Sequence, residues 1–124
     1  MAYNRSAAAR GLKAAGWRKP AKAWIPPGAS KPLEVALLAP EQAANPVAFE
    51  AANRVAAAWT SLGLQSRVEA LPPGEFVSRL REGRFEAAIM DVNMGLDPDP
   101  YPILASTQTR EGGANVSGFQ DARL

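Results

Sequence analysis

Three acids and three prolines lie close together in residues 90–102, MDVNMGLDPDPYP, directly after an apolar run. The acids are Asp91, Asp97 and Asp99. A carboxylate at the end of a strand can accept a phosphoryl group, several carboxylates together can hold a hard cation, and one fixed carboxylate can pair with an ammonium group. These three chemistries imply different classes of protein, so the rest of the chain has to discriminate among them.

The phosphoryl-acceptor interpretation starts from AAIMDVNMG, which is similar to the third strand and acceptor of response-regulator receivers, with Asp91 as the acceptor. A receiver also needs an acid pair after its first strand to hold Mg²⁺, where this chain has LLAPEQ. It needs a lysine after the acceptor to pair with the phosphoryl group, whereas the last lysine here is Lys31. A receiver domain is therefore the alternative interpretation, not the preferred one.

The metal-loop interpretation fails on spacing. An EF-hand loop needs a glycine at its sixth position and a glutamate at its twelfth, and counted from Asp97 the sixth position is Pro102. The chain has no histidine and no cysteine, which excludes a Ser-His-Asp hydrolase, disulfides and metal sites built on His or Cys. We therefore expect no metal site.

Length and charge restrict the class further. The 124 residues suit one domain, with 47% apolar and 21% charged residues. The net charge is only +2 and the arginines are scattered, so we expect no nucleic-acid partner. No apolar stretch approaches the roughly 20 residues that span a membrane, and residues 1–15 lack the apolar region of a signal peptide.

The pattern of elements predicts an α/β fold. Apolar or alternating runs at 33–39, 64–71 and 86–92 predict three strands, and helices are predicted at 5–16, from Asn45 to Gly63, and from near Pro73 to Gly83. Right-handed crossovers make the strands parallel, in the order 2-1-3, with 33–39 central and 64–71 at the edge. A proline-rich connection at 17–32 carries the possible anchors Trp17, Trp24 and Ile25.

The helical periodicity predicts which side chains are buried. The second helix should bury a stripe that contains Val47, Ala51, Val55, Trp59 and Leu62. The third helix should bury Phe76, Val77 and Leu80. Asp91, within or at the end of an apolar strand, should be largely buried and have a structural partner.

A family resemblance rests on the order of several motifs: AARGLKAAGW, KPLEVALLAP, SLGLQSRVEALPPGEFVSRLREGRFEAAIM, GLDPDPYPILAS and GGANVSGFQDARL. The ordered set, over nearly all of residues 7–124, resembles the later part of extracellular solute-binding protein family 5, which serves dipeptide, oligopeptide and nickel ABC transporters. The resemblance implies one lobe of a periplasmic-binding-protein-like fold, in which a βαβαβ unit contains a parallel sheet. It implies neither a cofactor nor enzymatic activity.

The resemblance also implies that residues 1–124 are a piece of the second lobe of a two-lobed protein, without the first lobe and the export signal. Within this single domain we expect a helix and proline-rich connection at 1–32, the βαβαβ core at 33–93, and ligand-side loops with a short helix at 94–124. The implied partners are a small solute such as a peptide, the membrane permease and the missing first lobe, and the implied location is periplasmic or extracellular and membrane-anchored.

The expected ligand-binding residues are Asp97, Met94, Asn115 and Ser117. In peptide-binding relatives an acid of the acidic-proline loop pairs with the α-ammonium group of the ligand, a role open to Asp97, which is equally well explained as a turn residue before Pro98. Many relatives carry a tryptophan where this chain has VNM, residues 92–94, so stacking on an indole is not implied.

Asn115 and Ser117 match the family's polar segment near its end and could line a cleft, although turn formation is the simpler role. We expect Asp99 to cap a short helix that has Pro100 at its first position.

Overall fold

The chain alternates strands and helices in the order that the sequence predicts. The computed structural model describes residues 4–93, 96, 99–109 and 112–121. Its elements are α1 (Arg5–Ala14), β1 (Glu34–Pro40), α2 (Pro46–Leu62), β2 (Gln65–Leu71), α3 (Pro73–Arg81), β3 (Ala87–Ala88), α4 (Tyr101–Leu104) and a 3₁₀ helix (Ser106–Thr109). The three strands are parallel in the order β2-β1-β3, which confirms the α/β class and the predicted topology.

Asparagines begin the first two helices, as predicted. The side-chain oxygen of Asn4 accepts a hydrogen bond from the amide of Ala7 at 2.9 Å, and that of Asn45 accepts from Ala48 at 3.0 Å. Each side chain satisfies a backbone donor that has no partner within the helix. Gly63 ends α2 in the left-handed region, with φ 105°.

One face of the sheet packs against α2 through small residues. Ala48, Ala52 and Ala56 recur every four residues and are buried, and Ala52 and Ala56 form a cluster with Leu37 and Ala39 of β1. The predicted stripe is therefore wrong at its start, since Val47 is 75% exposed. Alanines at the contact let the helix approach the sheet closely, and the larger Val55 and Trp59 pack at the side of that contact.

The other face of the sheet packs against α3. Leu38 of β1 lies with Phe76 and Leu80, one helical turn apart, in a second buried cluster. Val77 is 42% exposed, so the prediction that it faces inward is wrong. The nine-residue α3 presents only the narrow stripe of Phe76 and Leu80 to this face.

The third strand is much shorter than the predicted 86–92, because backbone pairing with β1 fails at both ends. On its amino side the carboxylate of Glu86 accepts the amide hydrogen of Ala36 at 2.7 Å, in place of a backbone carbonyl. On its carboxyl side the amide of Ile89 donates to Leu38 at 2.9 Å. Alternate residues of β1 direct their backbone groups toward β3, so the next residue after Leu38 to do so is Pro40. Proline has no amide hydrogen to donate.

The proline-rich connection packs on the carboxyl end of α2. The amide of Trp24 donates to the carbonyl of Gly63 at 2.9 Å, and its indole donates to that of Leu62 at 3.1 Å. The ammonium of Lys19 donates to the same Leu62 carbonyl at 2.9 Å and lies 5.5 Å from the centre of the indole ring. Trp24 is 4% exposed, so it is the anchor that the sequence suggested.

Candidate functional site

The segments that follow β1 and β3 meet at the carboxyl end of the sheet, where α/β proteins bind their ligands. The side-chain nitrogen of Asn45 donates to the carboxylate of Asp91 at 2.5 Å, although the two residues are 46 positions apart in the sequence. Asp91 is exposed, which contradicts its predicted burial. It is exposed because β3 ends at Ala88 and the chain has already left the sheet three residues later.

Asn45 makes two hydrogen bonds through one carboxamide. Its oxygen accepts from the amide of Ala48, and its nitrogen donates to Asp91. Serine or aspartate can also cap a helix, but aspartate has no donor and serine is too short to reach a second partner. The sequence predicted only the cap. The second bond was foreseeable, because the order 2-1-3 makes the loop after β1 a neighbour of the loop after β3.

Asp99 and a short helix come next along the chain. The carboxylate of Asp99 accepts from the amide of Tyr101 at 2.9 Å, and the helix begins at Tyr101, one residue later than predicted. The hydroxyls of Tyr101 and Thr107 share a hydrogen bond of 2.9 Å, which joins α4 to the 3₁₀ helix. The predicted capping interaction is therefore present, with the helix boundary shifted.

Asn115 is the buried polar centre of the last described segment, with 4% exposure. Its side-chain nitrogen lies 3.2, 3.1 and 2.9 Å from the carbonyls of Leu104, Ala105 and Phe119. The hydroxyl of Ser117 donates to the side-chain oxygen of Asn115 at 2.8 Å and accepts from the amide of Phe119 at 3.2 Å. Together these contacts hold the segment around 115–119 against the end of α4, while the ligand-binding role of the two residues stays a prediction.

The other two expected ligand contacts, Met94 and Asp97, lie outside the described residues, as does Pro98. The described residues that flank them, Asn93 and Asp99, lie beyond the carboxyl end of β3. The assignment of Met94 and Asp97 as ligand contacts therefore stays a prediction from the resemblance.

Two grooves of similar size lie on the α3 side of the sheet. One, of about 490 Å³, extends from the amino ends of the strands to Leu38 and is lined by paired charges that include Glu34, Arg67 and Glu69. The second, of about 530 Å³, lies between the end of α3 and the last segment and is lined by Arg81, Gln108, Thr109, Gly112, Gly113, Asn115 and Val116. Neither groove includes Asp91 or Asp99.

Metal ligation and membrane insertion find no support in the part of the chain that the structure describes. No three carboxylates there lie close enough to hold a metal ion. No helix in the same part combines the length and the apolar character that crossing a bilayer requires.

Comparisons of the sequence alone give no relatives. No protein-family model matches the chain, and no curated protein matches it significantly.

Comparisons of the structure give several similar folds. The oligopeptide-binding protein AppA from Bacillus subtilis, solved with a nonapeptide, superposes with a TM-score of 0.84 at 22% identity over 98% of this chain. NikZ from Campylobacter jejuni, solved with Ni(L-His), gives 0.82 at 23% identity over 97%. An oligopeptide-binding protein of an ABC transporter from Thermotoga maritima, solved with mannohexaose, gives 0.78 at 12% identity over 99%.

In each of these three cases the chain spans 24% of the length of the other protein. At such identities the likeness concerns the fold, and it extends over nearly the whole of this chain. The resemblance that the ordered motifs indicated is therefore confirmed at the level of the fold: the chain folds as part of a lobe of the periplasmic oligopeptide- and nickel-binding proteins.

Proposed function

We propose that the chain belongs to the substrate-binding component of an ABC transporter, which captures a small solute and delivers it to a membrane permease. Peptides are the solute class that we propose. The location that goes with this function is periplasmic or extracellular and membrane-anchored. The protein acts by binding, without a chemical step.

The observation that carries this proposal is the superposition of 98% of the chain on an oligopeptide-binding protein with a TM-score of 0.84. A second line of support is the position of the acidic-proline segment, which follows β3 at the carboxyl end of a parallel sheet. The chain spans 24% of the structures it resembles, so we propose that a complete protein with a second lobe performs the capture. Such proteins close two lobes around the ligand like a hinge.

The residues that we propose for solute contact are Met94, Asp97, Asn115 and Ser117. Pro98 and Pro100 restrict the backbone after Asp97, so its carboxylate has a limited range in which to meet an ammonium group. Asn115 has its nitrogen directed at three carbonyls, so its contribution would be to hold the neighbouring backbone in place. Ser117 would act beside it through the hydroxyl.

The proposal is tested by capture of solutes. The complete protein that contains this chain is incubated with an equimolar pool of di- to hexapeptides, separated from unbound material and analysed by mass spectrometry. We expect retention of a subset of peptides at micromolar concentrations. Retention of no peptide, with a nickel–histidine complex or a sugar retained instead, would leave a binding protein with a different solute. Retention of none of these would remove the proposed function.

Asp97→Asn in the complete protein tests the ammonium contact. We expect the affinity for the retained peptides to fall more than threefold, because a charge-assisted hydrogen bond becomes a neutral one. Asp99→Asn is the matched control, since it removes a nearby charge but leaves an oxygen that can accept from Tyr101. Equal affinities for Asp97→Asn and wild type would make Asp97 a turn residue.

The 124-residue chain alone should bind the same peptides weakly or not at all. Capture between two lobes divides the contacts between them, and half of the contacts cannot offset the entropy lost on association. Calorimetry of the isolated chain with the retained peptides checks this expectation. Submicromolar affinity would mean that this part of the protein carries a complete site.

A further inference from the structure

We propose that Asp91 is a positioning residue, whose carboxylate fixes the side chain of Asn45 and so joins the segment after β3 to the first turn of α2. Its importance for solute capture rests on the function proposed above. The bond itself does not depend on that function and can be tested without any solute.

The first argument is that the bond connects two parts of the chain that are distant in the sequence. Asn45 and Asp91 lie 46 residues apart, each just beyond the end of its strand, and β3 itself is only two residues long. Backbone pairing to β1 ends with the bond from Ile89 to Leu38. Two residues after this last backbone bond, the side-chain bond to Asp91 ties the departing chain to the start of α2.

The second argument is that the Asn45 carboxamide is fixed at both of its polar atoms. With its oxygen at the amide of Ala48 and its nitrogen at Asp91, the side chain has one favourable orientation. Rotating the amide by half a turn would place an oxygen against a carboxylate and an amide nitrogen against a backbone donor. The carboxylate of Asp91 therefore also keeps the helix cap in place.

The third argument concerns charge and exposure. Asp91 lies beside the amino terminus of a 17-residue helix, which favours a negative charge. Because the side chain is exposed, the bond adds little to overall stability, while it can still determine where the chain leaves the sheet. The same residue is thus suited to local ordering and not to a role in the core.

The test measures local order in the isolated chain by ¹⁵N relaxation. In the wild type we expect backbone order parameters of about 0.85 at Asp91 and Val92, as in ordered backbone, and below about 0.6 in Asp91→Ala. Asp91→Asn keeps an acceptor oxygen and should restore most of the order. Asn45→Ser keeps the helix cap and loses the bond, so it should resemble Asp91→Ala.

A double-mutant cycle supplies the second readout. The folding equilibrium constants of Asp91→Ala, Asn45→Ser and the double variant should show a coupling of about fivefold, as for one hydrogen bond. Unchanged order parameters in Asp91→Ala, or strictly additive effects in the cycle, would overturn the proposal.

The role in capture is read from the complete protein and the same peptide pool. We expect Asp91→Ala to retain less of the pool than wild type while Asp91→Asn retains nearly as much. Normal retention by Asp91→Ala, with its order parameters lowered, would confine the bond to local structure and contradict its role in capture. If the wild type retained no peptide, the proposed function would fail, whereas the relaxation and coupling results would still decide whether the bond exists.

Discussion

The two ends of the sheet differ in how their charges are satisfied. Toward the amino end, Arg67 pairs with Glu34 at the start of β1 and with Glu69 in the second half of β2, and Glu69 also pairs with Arg79. At the carboxyl end, Glu41, Glu75 and Asp91 form no ion pair with a cation of the described residues.

The apolar side chains show the same difference. Val47 and Leu96 come from segments that follow β1 and β3 and are 75% and 107% exposed, whereas Leu33, directly before β1 at the amino end, is 41% exposed. At the amino end, Trp24 is buried and its donors satisfy the last carbonyls of α2. The carboxyl end is therefore the one where these acids form no ion pairs and where apolar side chains are more exposed, as expected of an end that receives a solute or a second lobe.

The largest effect on stability should come from Gly63→Ala at the amino end. Gly63 has φ 105°, and a Cβ there would lie 2.8 Å from the carbonyl oxygen of Lys22 and still closer to the Lys19 ammonium. We expect the free energy of unfolding to fall by about 3 kcal/mol. Gly83→Ala is the control, since its φ is +64° but nothing lies within 4 Å. It should lose only about 1 kcal/mol in the same urea titration.

The next effect should come from Asn115→Ala. Removing the buried carboxamide leaves the carbonyls of Leu104, Ala105 and Phe119 without this donor. We expect a loss of about 2 kcal/mol, read from denaturation followed by a probe near the last segment. Asn53→Ala removes an exposed amide that donates to Phe49, and it should change stability by less than about 0.5 kcal/mol. Equal losses in the two variants would show that Asn115 does not hold its segment.

A smaller effect should come from Trp24→Phe. The substitution keeps most of the buried apolar surface and removes the indole donor to Leu62. The expected loss is about 1 kcal/mol in the free energy of unfolding, measured by chemical denaturation. Trp17→Phe, at a half-buried tryptophan of the same connection, should lose less. A neutral Trp24→Phe would mean that packing alone holds the connection on α2.

The smallest effect concerns pH. The hydroxyl of Ser78, and then Arg84, lower the pKa of the exposed Glu82 below its ordinary value. A lowered pKa in the folded state stabilises the fold above the pKa of the unfolded chain, and this contribution disappears as the pH falls through the folded value. Ser78→Ala should raise the pKa of Glu82 in an NMR titration, whereas Ser61→Ala on α2 should leave it in place.

Much of the fold could be predicted because local signals agreed with the tertiary structure. Asn45, Pro46 and Gly63 define α2 by helix-end chemistry that depends on a few neighbouring atoms. The order of the strands followed from chain connectivity. These features can be predicted without knowledge of the tertiary contacts.

The failures occurred where tertiary contacts decide. Val47 matched the helical period, yet the helix packs on the sheet with Ala52 and Ala56, whose small side chains allow closer packing. The sequence 86–92 matched a strand, yet its partner strand ends in Pro40, which has no amide to donate. Asp91 was expected in the interior because the predicted strand extended to residue 92. The contact between Asn45 and Asp91 requires that Asp91 lie outside the strand, so the strand pattern alone could not reveal it.

The most direct test of solute capture at the carboxyl end is photo-crosslinking in the complete protein. A peptide pool in which each member carries one benzophenone side chain is bound, irradiated and digested, and the crosslinked segments are identified by mass spectrometry. We predict crosslinks within residues 40–47, which follow β1, within residues 89–105, which follow β3, and around Asn115 and Ser117. Crosslinks that fell instead within residues 18–25 or 79–86, at the amino end, would contradict the account.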